Sequence, residues 1–143
     1  MSVVNTMADN RVKTKLHLIR KECKDYSEFS NYVETIPEKG PKVFLFFTGQ
    51  KNENGRSWCP YCQIAEVVVE DYLTEVKKNI VFVTVDVGNM QYWKNKECPF
   101  RTDNRIRLMV IPTIIKWKGV QRLEGDQCRK RELLQMLIAE EED

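Results

Sequence analysis

Two cysteines separated by two residues, Cys59 and Cys62 in the segment Trp58-Cys59-Pro60-Tyr61-Cys62, stand between a strand-like apolar run and a helical pattern. Residues three apart share one face of a helix, so the two sulfurs can close a disulfide with little backbone movement. Pro60 fixes where that helix begins, because proline is favoured at the first helical position, where its missing N–H is no loss. Cys59 then becomes the N-cap and Cys62 a first-turn residue. A thiolate on Cys59 would face the free N–H groups of that turn and the positive end of the helix dipole. The pattern demands a strand, a turn and a helix in that order, with a reactive pair at the turn.

The attacking species in thiol chemistry is the thiolate, and a free cysteine with a pKa near 8.5 is only about 3% ionised at pH 7. Roughly 2 kcal/mol of dipole and hydrogen-bond stabilisation would bring Cys59 to about half ionised. Cys62 lies deeper in the helix and lacks those donors. It is expected to stay a thiol until it resolves a mixed disulfide made by Cys59.

A chain of 143 residues, 42% hydrophobic and 31% charged, suits one soluble domain. Its expected extent is residues 13–143, behind a polar, aperiodic tail at residues 1–12. The net charge of +2 arises from interspersed signs, and the most basic stretch, Lys13 to Lys24, reads as a solvated face rather than a nucleic-acid footprint. No apolar run approaches the roughly 18 residues of a membrane span, and Met1 to Arg20 has no continuous apolar core of a signal peptide. Five cysteines, with Cys23, Cys98 and Cys128 far from the pair, do not look like a secreted disulfide framework. A reducing cytoplasm and a monomer are expected, with no nucleic-acid or membrane partner.

A closed zinc site would need two ligands beyond Cys59 and Cys62, and the chain offers one histidine and three scattered cysteines, so no metal is expected. His17 reads as a surface or packing residue. Cys23, Cys98 and Cys128 read as structural or exposed thiols, with Cys98, in the polar 94–103 segment, the most open to oxidation.

Hydrophobic periodicity supplies the rest of the order. Leu16 to Ile19 reads as a short edge strand, and Tyr26, Phe29, Tyr32, Val33 and Ile36 as a helix capped by Asp25 or Ser27 and ended by Pro37 to Pro41. Lys42 to Thr48 is a nearly continuous apolar run, the mark of a mid-sheet strand covered on both faces. A polar loop at 49–57 leads into the Cys59 helix, whose spacing continues through Ile64, Ala65, Val68, Tyr72 and Val76 to a stop at Asn79. Strand Ile80 to Val87 follows, then a short helix and turns over 88–107. A hairpin of Met109 to Trp117 with Gly119 to Leu123 comes next, and a last helix carries Leu133, Leu134, Leu137 and Ile138. This order predicts an α/β protein with a central mixed sheet flanked by helices.

Cys59-Pro60-Tyr61-Cys62 at a strand-to-helix turn, together with Ile111-Pro112-Thr113 before a late strand, resembles the thioredoxin superfamily. Further segments resemble the thioredoxin-domain-containing protein 17 family within it: Phe46-Phe47-Thr48-Gly49 with its extended loop, Ser57-Trp58-Cys59-Pro60, Val87-Gly88, Tyr92-Trp93-Lys94 and Phe100-Arg101. The resemblance implies a thioredoxin fold with an extended loop before the Cys-x-x-Cys helix. It also implies a cis Pro112 beside the pair, where its backbone can receive an extended substrate, with Trp58, Pro60, Tyr61 and Ile111 as supporting and substrate-binding residues. The implied activity is a cytosolic disulfide reductase with no bound cofactor. It would be recycled by thioredoxin reductase at the expense of NADPH, and would act on cystine and other small disulfides, nitrosothiols and selected protein disulfides.

The chain departs from that pattern at Tyr61, where the family usually has aspartate, and at Val67, where a helix-kinking proline is common. Like the family, it has Phe46 where thioredoxin keeps a buried carboxylate, so Cys62 must give its proton to water or another group. Two alternatives remain. Cys-Pro-Tyr-Cys also suits a glutathione-dependent glutaredoxin, although the paired glycines of that family are missing and Gly119 and Gly125 stand alone. A redox-switched binding module would use Tyr92, Trp93 and the 49–57 loop as its partner surface.

Overall fold

The computed structural model describes residues 18–139. The expected tail at 1–12, Leu16, His17 and the segment 140–143 lie outside the described residues. A five-stranded mixed sheet forms the centre, with strand order β1-β3-β2-β4-β5. Its strands are β1 (Leu18–Cys23), β2 (Lys42–Thr48), β3 (Ile80–Asp86), β4 (Thr113–Lys116) and β5 (Arg122–Glu124). β1 and β2 both run parallel to β3, whereas β4 is antiparallel to β2 and to β5. The helices are α1 (Tyr26–Val33), α2 (Pro60–Leu73), α3 (Met90–Lys94), α4 (Pro99–Thr102) and α5 (Arg131–Ile138), with a 3-10 turn at Gly125–Arg129.

β2 lies mid-sheet and is buried from Val43 to Thr48. Its alternate side chains serve two separate cores. Val43, Leu45 and Phe47 meet Phe29, Val33, Val85, Phe100 and Ile106 on one face. Phe44 and Phe46 meet Ala65, Val69, Tyr72, Leu134 and Ile138 on the other. The edge position of β1 matches its thin covering, with Ile19 half exposed.

Element boundaries differ from the sequence expectation where polar side chains end helices early. α1 stops at Val33, before Pro37, because Thr35 gives both its N–H and its hydroxyl to the Tyr32 carbonyl. α2 stops at Leu73, short of Val76, and the Thr74 hydroxyl donates to the Asp71 carbonyl at 2.7 Å. Ile64, expected in the core stripe of α2, is instead exposed, and Val69 and Leu73 are buried in that stripe. The hairpin strands are shorter than their apolar runs, since Met109 and Val110 lie outside β4 and are exposed. The 3-10 turn is closed by a capping box between Glu124 and Gln127, which brings Cys128 into the core.

Candidate active site

The site forms where β2 ends and α2 begins. Asp25 shows what an N-cap does in this chain, its carboxylate accepting from the Glu28 N–H at 2.9 Å. At α2 the cap is a thiol. Cys59 is extended (φ −94, ψ 114), Pro60 takes the first helical position, and the Cys62 N–H donates to Cys59 Sγ at 3.2 Å. The Cys59 N–H in turn donates to Ser57 Oγ at 3.1 Å, and Gln63 Nε2 donates to the Ser57 carbonyl at 2.6 Å. Ser57, quoted above only as part of the resemblance, and Gln63, which the sequence did not single out, thus brace the turn from either side. A serine two residues before a capping residue is the signal that was available.

The two thiols are held in opposite electrostatic states. Cys59 is lowered to about 7, chiefly by its hydrogen bond with the Cys62 side chain and then by the N–H groups of Cys62 and Tyr61; burial and the Glu66 carboxylate oppose the shift. Cys62 is raised, first because its proton is held in the hydrogen bond to Cys59 and then because it is fully buried. Thr48 and the Gly49 N–H work against that rise. A thiol half ionised at neutral pH beside one that keeps its proton is an arrangement that can attack a disulfide and then exchange internally.

The loop before the pair is tied to the end of β3. Trp58 Nε1 donates to the Gly88 carbonyl at 2.9 Å, and the Gln50 N–H donates to the same oxygen at 3.0 Å. Gly49 must be glycine, because a Cβ there would lie 2.9 Å from both Ser57 Oγ and the Trp58 ring. The partly buried Trp58 and the buried Ile111 belong to the same apolar cluster as Cys59 and Cys62. Pro112 is buried, its peptide bond to Ile111 is cis, and Thr113 pairs with Phe47 next to Thr48. The structure therefore gathers Trp58, Cys59, Pro60, Cys62, Ile111 and Pro112 at one end of the sheet, with Tyr61 59% exposed at the rim.

The remaining cysteines do not join the site. Cys98, expected in an exposed polar segment, is buried, because Pro99 starts α4 and turns it inward. Cys23 is buried with its thiol pushed up by burial, and Cys128 is pushed up to about 12 for the same reason. Of the aromatics offered as a partner surface, Tyr92 is partly exposed but Trp93 is buried under Arg101, whose guanidinium lies 3.9 Å from the ring centre.

Known proteins are similar to this chain in sequence. A model of the family described as thioredoxin domain-containing protein 17-like, thioredoxin domain, matches residues 22–140. Thioredoxin domain-containing protein 17 of Danio rerio is 34% identical over 116 residues, which is 81% of this chain and 91% of that protein; the Homo sapiens protein of the same name gives the same figures. Thioredoxin-like protein Clot of Arabidopsis thaliana is 32% identical over 98 residues, covering 66% of this chain and 73% of its own length. With its mixed sheet, flanking helices and cysteine pair at the head of α2, the chain belongs to the thioredoxin domain-containing protein 17-like family and has the thioredoxin fold.

Proposed function

We propose that within its general thioredoxin-like redox role this chain is a disulfide reductase, with Cys59 the nucleophile and Cys62 the resolving thiol. The observation that carries the reading is the hydrogen bond from the Cys62 N–H to Cys59 Sγ, made while Cys62 itself is fully buried. The Cys59 thiolate attacks one sulfur of a substrate disulfide, forming a mixed disulfide and releasing a thiolate. Cys62, deprotonated, then attacks Cys59 Sγ, closing the internal disulfide and releasing the second thiolate. Two electrons pass from the dithiol to the substrate.

Pro112 and Ile111 offer a wall for an extended substrate segment, and Trp58, Pro60 and Tyr61 complete the rim. The exposed Tyr61, Ile64 and Val67 of α2 present apolar surface suited to protein disulfides. Small disulfides such as cystine, nitrosothiols and selected protein disulfides are the proposed substrates. The dithiol is regenerated in the cytoplasm by thioredoxin reductase, with NADPH as the electron source and no cofactor bound to the chain.

NADPH consumption with cystine tests this, the chain being supplied either with thioredoxin reductase or with glutathione and its reductase. Turnover is expected with the first. Turnover with glutathione alone would replace the reading by a glutaredoxin-like one, and none with either would leave a redox-switched binding module. Cys59→Ser should abolish turnover, and Cys62→Ser should accumulate mixed disulfides on Cys59. Equal trapping by both variants would refute the two roles.

A further inference from the structure

Cys62 must lose a proton before it can resolve a mixed disulfide, yet it is fully buried and its proton is held tightly. Phe46, one of the apolar residues at that end of β2, supplies no base. Thr48 does stand there. It is the last residue of β2, 2% exposed, and its side chain favours loss of the Cys62 proton. Its hydroxyl donates to Glu66 Oε2 at 2.6 Å. Glu66 lies one helical turn beyond Cys62, so both side chains leave the same face of α2 toward the end of β2.

We propose that the Thr48 hydroxyl and the Glu66 carboxylate form the proton path from Cys62, Thr48 as the catalytic residue touching the sulfur and Glu66 acting through it. The inference rests on the reductase reading above. As Cys62 attacks, its S–H proton passes to Thr48 Oγ1 while the Thr48 hydroxyl proton passes to Glu66 Oε2. The new S–S bond forms, the Cys59–substrate S–S bond breaks, and the substrate sulfur leaves as a thiolate with the electron pair. Glu66 then returns the proton to water or to that thiolate.

The surroundings fit a group that must both take and release a proton. The Glu66 side chain is 17% exposed and edges a groove of about 620 Å³, so it reaches solvent. Lys51 Nζ lies 3.8 Å from Glu66 Oε1. Arg20 and Glu22 from β1, Arg56 from the loop and Glu70 from α2 also line the groove, with Arg20 already paired to Glu70 at 2.7 Å. From the other side Cys59 feels the Glu66 charge. Asp86, which pairs with Thr48 across β2 and β3, accepts instead from the Gly88 N–H at 2.7 Å.

The symmetric disulfide of thionitrobenzoate separates the two steps, because each releases one coloured thiolate. The first follows Cys59 attack and the second follows resolution by Cys62. In Glu66→Gln the ratio of second-phase to first-phase rate at pH 7 should fall at least about tenfold, as for loss of a general base. Resolution would then rely on whatever Cys62 thiolate already exists, so its rate should rise about tenfold per pH unit, more steeply than in the native chain. Thr48→Val should show the same loss, and Thr48→Ser, which keeps the hydroxyl, should restore it. A native ratio and pH slope in Glu66→Gln, or a loss confined to Asp86→Asn, would overturn the proton path. Absence of both phases in the native chain would instead overturn the reductase reading and this inference with it.

Discussion

At the scale of the residue, the chemistry depends on one sulfur replacing an oxygen as a helix cap. A capping serine or aspartate satisfies N–H groups and stops there; a capping cysteine is changed by them, because the donors that it satisfies favour its thiolate. With Cys59 lowered to about 7, alkylation by iodoacetamide should quicken about tenfold per pH unit below 7 and level off above it. Tyr61, 59% exposed beside it, makes a direct test of how charge enters. In Tyr61→Asp a carboxylate faces the thiolate and should move the midpoint of that profile upward. At an effective dielectric between water and a protein surface the effect is roughly 1 kcal/mol or less, a fraction of a pH unit. An unchanged or lowered midpoint would assign Tyr61 to substrate contact instead of electrostatics.

At the scale of the element, the site depends on a loop pinned by two glycines. Gly88 has φ +98, and a Cβ there would fall 2.6 Å from the Tyr92 ring, while its carbonyl holds Trp58 and Gln50. Gly88→Ala should therefore cost about 1–3 kcal/mol in urea unfolding and slow attack by Cys59, since the strain falls on the segment that carries Trp58. Native stability in that variant would show that the loop can move without consequence. The same scale separates what the sequence reveals from what it hides. β2, the start of α2 and the mid-sheet burial are legible, because proline after cysteine and a continuous apolar run each have one structural solution. The ends of α1 and α2 are not, since Thr35 and Thr74 stop them through hydroxyl bonds to carbonyls three residues back, a choice periodicity does not register. Thr48 and Glu66 escape for another reason. Each is ordinary in its own segment, and only the crossing of β2 and α2 brings them together.

At the scale of the whole molecule, the fold sorts five thiols that composition treats alike. Burial alone does not single out Cys59, which is 5% exposed against 2% for Cys23 and Cys98 and 0% for Cys62 and Cys128. Ionisation does. At pH 7 about half of Cys59 is thiolate, whereas Cys128, pushed up to about 12 between β4 and the 3-10 turn, is ionised in about one molecule in 100,000. Cys23 and Cys62 are also displaced upward, and Cys98 sits behind α4 in the cluster of Phe29, Phe47 and Phe100. A brief pulse of iodoacetamide on the folded, reduced chain at pH 7 should therefore label Cys59 alone, and the same pulse in concentrated urea should label all five. Below the unfolding midpoint, labelling of Cys23, Cys98 and Cys128 should rise together, because all three are reached only when the sheet and its two cores open. Rapid labelling of Cys98 in the folded chain would show instead that the α3–α4 segment opens by itself, and that this thiol is guarded by local structure and not by the stability of the fold.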